Sequence, residues 1–275
     1  MNRIILSGVL ALAVAVPGLI AQPKPKSQAE TDALRAMFSA QTPDARIAGA
    51  EAILTKFADT EFKSVALYFE AMSYEQKGDY DHAVVFGERT LEADPKYYQA
   101  MLMLALEIAQ HTKEFDLDKG EKLAQVNKYA KNALDLIKDA PKPNPNVTDE
   151  QWAGIKKDLA SQAHASLGMA ALVDKKYDVA EGELKTSIEG MDKPDPGNIV
   201  RLGKAYSDDK KYEEAIAQFD KVMAIQDVNP TIRQIAQAER VRAMQKKGGG
   251  ATPANPPAKP EEPKPDAPKP EVPKQ

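Results

Sequence analysis

The side chains that could carry acid–base chemistry are few and poorly placed for it. Histidine occurs at three positions, His82, His111 and His164. His82 and His111 lie near predicted helix ends, and His164 lies on a predicted helix face whose neighbours are small or polar. For each of them a surface or packing role is favoured over proton transfer. The histidines therefore give no candidate for a general base.

Paired carboxylates are a second source of acid–base chemistry. The pairs Glu213–Glu214 and Glu261–Glu262 are adjacent in the sequence. Neighbours on a helix point in different directions, so neither pair is arranged as an acid–base couple. We therefore predict no catalytic residue, no enzyme activity and no small-molecule substrate.

The sequence also offers few residues that could bind a metal ion. The chain has no cysteine, which excludes thiolate sites, and its histidines do not have the spacing of zinc ligands. Asp116, Asp118 and Glu121 bear a weak resemblance to a calcium loop, but the glycine is misplaced for an EF-hand. We predict a solvated loop there, no metal site and no cofactor.

The charge balance also excludes a class of partner. The chain carries 37 Lys and Arg against 41 Asp and Glu, a formal net charge of -4. Binding to nucleic acid is driven by a basic surface, so no nucleic-acid partner is expected. Hydrophobic residues make up 43% of the chain and aromatic residues only 6%, a composition that favours helices.

The N-terminus has the layout of a secretory signal peptide. Arg3 precedes an apolar stretch over residues 4–16, a Pro17–Gly18 break and a segment that ends at Ala21. We predict a signal peptide over residues 1–21, a linker over 22–27, and export to the periplasm or cell envelope. Cleavage is predicted after Ala21. Because Leu19 is larger than the small residue usually found two positions before it, an uncleaved membrane anchor is the alternative. Contact with a membrane is expected only in that case.

The other end of the chain, residues 248–275, is rich in Pro, Lys and Glu and offers almost nothing to bury. Such a composition predicts a disordered tail that behaves as an extended polyproline-II spacer. A solubilising tail without a partner is the alternative interpretation.

Between these ends, over residues 28–247, apolar residues recur at helical spacing. Ser27 with Glu30, and Thr148 with Gln151, read as capping boxes at helix starts. Trp152 is expected to pack over the linker 141–145 rather than to bind a ligand. We predict nine to eleven helices and no strand.

One segment repeats in modified form along this helical region. The stretch 67–95, with Gly78, Tyr80 and Ala83 at its turn, resembles the tetratricopeptide repeat over its full length. Gly87 and Thr90 replace an aromatic residue and an alanine of the family pattern, and we expect them to loosen the second helix. The resemblance implies an all-α solenoid of helical hairpins, with about four to five units.

Two further stretches, 167–184 and 202–219, show the same pattern. Gly168 and Gly203 are expected to let the two helices of each hairpin approach closely. Residues 101–137 and 28–57 are interpreted as degenerate units, and residues 230–247 as the cap that repeat arrays need at an exposed end. Hairpins of this kind stack on their neighbours, because no single pair can bury its apolar face.

In this family the first helices of successive repeats line a concave face that binds proteins or peptides. On the expected register that face is mostly apolar, with a basic pair at one end. The predicted partner-binding residues are Tyr68, Met72, Leu102, Met103, Leu106, Met169, Arg201 and Lys204. The alternative is that flanking helices cover these positions, which would make them ordinary core.

These observations favour a scaffold or adaptor of the bacterial periplasm or cell envelope that binds other proteins or peptides on its repeats. The alternative is an envelope spacer or structural protein that acts through its Pro-rich tail. Export and a bacterial origin are expectations from the N-terminal segment, the missing cysteines and the tail.

Overall fold

The structure is a computed structural model that describes residues 23–249. This part of the chain forms eleven helices and contains no strand. The helices are α1 (Gln28–Ser39), α2 (Pro43–Lys56), α3 (Lys63–Lys77), α4 (Tyr80–Ala93), α5 (Tyr98–His111), α6 (Lys119–Asp139), α7 (Asp149–Val173), α8 (Tyr177–Glu189), α9 (Pro196–Asp208), α10 (Tyr212–Ala224) and α11 (Pro230–Lys247). The all-α prediction is confirmed. The predicted signal peptide, and the predicted tail from residue 250 onward, lie outside the described residues.

Consecutive helices pack against each other in pairs. The pairs are α1–α2, α3–α4, α5–α6, α7–α8 and α9–α10, and α11 packs on both helices of the last pair. The first helices of the last three pairs also lie side by side, because α7 contacts both α5 and α9. The predicted solenoid of about four to five helical hairpins is confirmed.

Two glycines set the distance between the helices of the last two hairpins. A β-carbon on Gly168 of α7 would lie 2.6 Å from Cγ of Leu184 on α8. A β-carbon on Gly203 of α9 would lie 2.5 Å from Cε1 of Phe219 on α10. Both the leucine and the phenylalanine are fully buried. The predicted close approach at Gly168 and Gly203 is confirmed.

A third glycine shows that one expectation from the sequence is wrong. Gly87 on α4 does not loosen that helix, because the next hairpin fills the space that a side chain would occupy. A β-carbon there would lie 2.8 Å from both Leu104 Cδ2 and Met103 Cε on α5. The hydroxyl of buried Thr90 donates to the Phe86 carbonyl at 2.8 Å, so it needs no outside partner.

The turn between the helices of a hairpin has the same backbone conformation three times. Gly78, which ends α3, has φ of 74°. Lys175 and Lys210 occupy the matching turns after α7 and α9, with φ of 59° and 66°. An L-residue is disfavoured in this left-handed region, so the two lysines sit in mild backbone strain.

Both predicted capping boxes mark real helix starts, but only one is complete. Thr148 and Gln151 exchange bonds of 3.0 and 3.1 Å between side chain and backbone. Ser27 accepts from the Glu30 amide at 3.1 Å, but the Glu30 carboxylate does not return the bond to Ser27. That carboxylate is buried and accepts instead from the Thr60 hydroxyl at 2.6 Å. Glu30 therefore ties α1 to the loop before α3.

Trp152 in the first turn of α7 closes the long connection from α6. Its side chain is buried, and its indole Nε1 donates to the carbonyl of Ala140 at 2.9 Å. Trp152 thus has a packing role, and its hydrogen bond is to Ala140, the residue before the linker 141–145.

The apolar interior of residues 23–249 is divided along the solenoid. One cluster joins α1, α2 and the start of α3 to the residues that begin α5, a second joins parts of α3, α5, α6 and α7, and a third joins parts of α8, α9, α10 and α11. Three small alanines, Ala171, Ala180 and Ala205, lie between the second and third clusters. Each hairpin thus depends on its neighbours for burial, as expected of a repeat array.

Candidate partner-binding surface

The predicted surface begins on α3 with Tyr68 and Met72. Both are half-buried and pack against the cluster built on α5. The Tyr68 ring lies 4.9 Å from the ring of Tyr97 and 6.5 Å from that of Phe69, centroid to centroid. Burial raises the pKa of the Tyr68 phenol above its ordinary value, so the side chain stays neutral. This part of the surface is apolar and packed on the core.

The predicted residues of α5 have different environments. Leu106 is half-buried and packs against the cluster. Leu102 and Met103 retain only 4% and 7% of their exposure. Met103 is packed against Gly87 of the preceding hairpin. These two side chains are core residues in this structure, which agrees with the alternative that other helices cover these positions.

Met169 on α7 is also buried, with 5% exposure. Its helix packs along α5, and Met169 contributes to the same cluster as the α5 residues. Of the predicted apolar residues, Tyr68, Met72 and Leu106 therefore keep accessible surface. The partner-binding role of the whole set stays a prediction.

The predicted basic pair on α9 is already engaged by neighbours on the same helix. Arg201 is half-buried, and its Nη1 donates to Oδ1 of Asn198 at 3.0 Å. Burial lowers the pKa of Arg201, and Asp195 opposes that effect. Lys204 is exposed and lies 2.8 Å from the Asp208 carboxylate. An acidic group of a partner would have to compete with Asp208 for Lys204.

Two carboxylates, Glu75 and Glu107, lie at this surface and were not predicted from the sequence. Burial raises the pKa of Glu75 on α3, and the nearby Glu107 on α5 raises it further. Glu107 is buried, and burial raises its pKa, while His111 lowers it. Spacing along the chain could not reveal this pair, because α3 and α5 belong to different hairpins. The surface is therefore less uniformly apolar than predicted.

The three histidines have partners that explain their positions. His82 bonds to the Asp79 carboxylate at 2.9 Å and stacks on Tyr74. His111 stacks on Tyr80 and bonds to the backbone carbonyl of residue 107. The third, His164, bonds to a carboxylate of α8 at 2.7 Å. A packing or surface role, as predicted, accounts for each of them.

The acidic loop before α6 is held by a lysine. Asp116 accepts a bond of 2.9 Å from the backbone amide of Lys113, and Lys122 lies 3.4 Å from Asp116 and 3.1 Å from Asp118. Within residues 23–249 there is no group of three or more His, Asp or Glu side chains that could hold a metal ion.

The structure shows two exposed apolar features that sequence reasoning missed. Phe115 and Leu117, in the same loop, are 87% and 107% exposed. The second feature is a groove beside Phe38 on α1, which is 42% exposed. The helical spacing of Leu34 and Phe38 was the available signal for it, but that spacing also fits an ordinary core face.

Comparison with known proteins agrees with the geometry. The hairpins define a helical repeat solenoid. A family model of the tetratricopeptide repeat matches residues 65–97 and 198–229, the regions of α3–α4 and α9–α10. The protein is thus a tetratricopeptide-repeat-containing protein. No curated protein matches the chain.

Among solved structures, the chain is similar to a thermophilic TPR protein from Thermus thermophilus. The two share 20% sequence identity and a TM-score of 0.46, over 77% of this chain and 99% of the other. In the described part, residues 23–249, no helix has both the length and the apolar character needed to cross a bilayer.

Proposed function

We propose that this protein is an interaction scaffold that binds a segment of another protein on the first helices of its repeats. Tetratricopeptide repeats are typically non-catalytic modules that mediate binding to proteins or peptides, and the two matched repeats support this class of function. The observation that carries the choice of site is the accessible apolar group of Tyr68, Met72 and Leu106, which all pack on one cluster.

The chemistry of this group suits a peptide with apolar side chains. An aromatic ring beside a flexible methionine can adapt to an amphipathic or extended segment. Glu75 at the same surface favours a segment that carries a basic residue near its apolar anchors, because a partly buried carboxylate is stabilised by an opposite charge.

The site is tested with a charge-insertion variant and a matched control. The full chain with Met72→Glu and Leu106→Glu is compared with one carrying Val85→Glu and Val179→Glu. The control valines are 50% and 51% exposed on the second helices α4 and α8. Circular dichroism should show that both variants keep the helical fold.

We expect a discrete partner, identified by mass spectrometry after co-purification, to bind the wild type and the control but not the first variant. Binding that survives Met72→Glu with Leu106→Glu would reject this surface. Loss of binding in both variants would mean that charge, rather than this surface, controls the association.

The proposed place of action is the bacterial periplasm or cell envelope. The support for it is the N-terminal sequence, with Arg3, the apolar stretch 4–16 and Ala21. The intact mass of the protein recovered from an envelope fraction tests this proposal. A mature chain that begins at Gln22 is expected, whereas recovery of the chain from the cytosol would contradict export.

A further inference from the structure

An apolar groove lies at the start of the solenoid, between the N-terminal segment, α1 and Phe62, the residue before α3. Its volume is about 490 Å³, and its lining residues are Pro25, Thr31, Leu34, Arg35, Phe38, Ser39 and Phe62. Leu34 and Phe62 form a buried floor, while Phe38 stays exposed on one side. The groove shares no lining residue with the predicted partner-binding set, so a ligand of the groove does not depend on the proposed function.

The aromatic wall of this groove is held in place. The Phe38 ring meets the ring of Phe69 on α3 edge to face, at 5.2 Å between centroids and an interplanar angle of 67°. Such a contact is favourable and fixes the orientation of the exposed ring. A rigid aromatic face with a low apolar floor is the kind of surface on which proline rings pack.

One Pro-Lys-Pro segment already lies at this groove. It is Pro23-Lys24-Pro25, whose last proline lines the groove. The next residue, Lys26, fixes the segment, because its Nζ lies 2.9 Å from the Asp59 carboxylate. The structure therefore shows a proline of this sequence type at the groove that Phe38 also lines.

The same tripeptide occurs twice in tandem near the other end of the chain. Residues 263–267 read Pro-Lys-Pro-Asp-Ala, and residues 268–272 read Pro-Lys-Pro-Glu-Val. A polyproline-II helix has three residues per turn, so in that conformation Pro265 and Pro268 would lie on one side, as would Pro270 and Pro273. Each pair flanks an acidic residue.

We propose that the tandem segment 263–273 docks in the groove beside Phe38 as a polyproline-II helix. Its prolines pack on Phe38 and over the floor of Leu34 and Phe62. Arg35 on the rim supplies the charge that matches Asp266 or Glu271, since its side chain is 72% exposed and its Nη1 lies 3.4 Å from Asp32 Oδ1. The occupant is thus a segment of this protein itself, from the same molecule or from a second copy.

The absence of cysteine from the sequence makes a direct test feasible in the full chain. A nitroxide spin label is attached at Gln275→Cys, and paramagnetic broadening of backbone amide signals is measured by NMR. We expect signals of α1, in particular those of residues 31–39, to lose intensity, while signals of α7 and α8, which do not pack on α1 or α2, keep theirs.

Two variants and one control decide whether this broadening reports docking. Phe38→Ser removes the aromatic wall, and Pro265→Ser with Pro268→Ser and Pro270→Ser alters only the tail, which cannot damage the helical fold. Both should restore the α1 signals. Phe115→Ser removes an equally large exposed ring elsewhere and should leave the broadening unchanged.

No broadening of α1 in the labelled full chain would overturn the proposal. Broadening that persists in the proline variant would also overturn it, since another segment or another protein would then be the better occupant. Mixing isotope-labelled chains without nitroxide and unlabelled chains with nitroxide separates the two sources of the tail. Broadening in the mixture assigns docking to a second copy, and broadening confined to the doubly labelled chain assigns it to the same molecule.

Discussion

A buried glutamate on α3 should lower the stability of this protein more above pH 7 than below pH 4.5. Glu70 is 1% exposed, and neither carboxylate oxygen has a hydrogen-bond partner among residues 23–249. Burial raises the pKa of Glu70 from its ordinary value of 4.5 to about 7, and the charge of Glu51 adds to this effect, while Arg89 opposes it. The folded protein therefore prefers the neutral acid.

The size of the effect on the free energy of unfolding follows from the linkage between proton binding and folding. The folded-state pKa is higher than the unfolded one, so the unfolded state releases the proton first as the pH rises. The penalty on folding is absent below pH 4.5, grows between pH 4.5 and about 7, and is complete above that. The difference between the two pKa values corresponds to about 3 kcal/mol, as an order of magnitude.

The perturbation is Glu70→Gln, which keeps the shape and removes the ionisation. Urea unfolding, followed by circular dichroism, gives the free energy of unfolding below pH 4.5 and above pH 7 for both proteins. Relative to the wild type, the free energy of unfolding of the variant should be about 3 kcal/mol higher above pH 7 than below pH 4.5. Glu92→Gln, the same change at an exposed position of α4, is the matched control for the substitution itself.

An unchanged difference between wild type and Glu70→Gln at every pH would refute the reasoning. It would mean that the carboxylate has found water or a cation when ionised. Glu70→Leu gives a second test, because a leucine occupies the matching position of the other two clear repeats, at Leu167 and Leu202, both buried. Leucine should stabilise the fold most strongly above pH 7.

Two further predictions concern the backbone. Lys210→Gly should raise the free energy of unfolding by about 1 kcal/mol in a denaturant titration, because glycine relieves the left-handed conformation; a loss of stability would show that the turn is not strained. Gly203→Ala should lower it by about 1–3 kcal/mol, because the new methyl group would meet the Phe219 ring. Gly182→Ala on α8, where a β-carbon would meet no other part of the protein, should instead stabilise the fold by about 1 kcal/mol, and equal effects of the two alanines would contradict the packing argument.

The sequence was most informative about features set by neighbouring residues along the chain. Helix starts at Ser27 and Thr148 depend on local capping chemistry, and the close approach at Gly168 and Gly203 depends on a spacing shared by the repeats. These features repeat with the hairpin, so a pattern in one unit supports the interpretation of the next. That is why the fold class could be predicted well.

The candidate surface was harder to predict because it depends on contacts between hairpins. Leu102 and Met103 are on the expected helix, α5, but α7 packs against that helix and Met103 packs on Gly87 of α4. Glu70 was overlooked although it occupies the register of Leu167 and Leu202. A register comparison finds such an exception, whereas exposure and partners require the arrangement in space.

The division of the apolar interior into separate clusters has a consequence for the lifetime of the protein. A domain with a single core unfolds as a whole when a large part of it opens. In this repeat array the terminal helices can open while the middle hairpins stay folded. Opening of α11 would expose the sides of α9 and α10 and leave the hairpins near α5 intact. Proteolysis should therefore shorten the array from an end in discrete steps, and intermediate fragments should retain the surface around Tyr68.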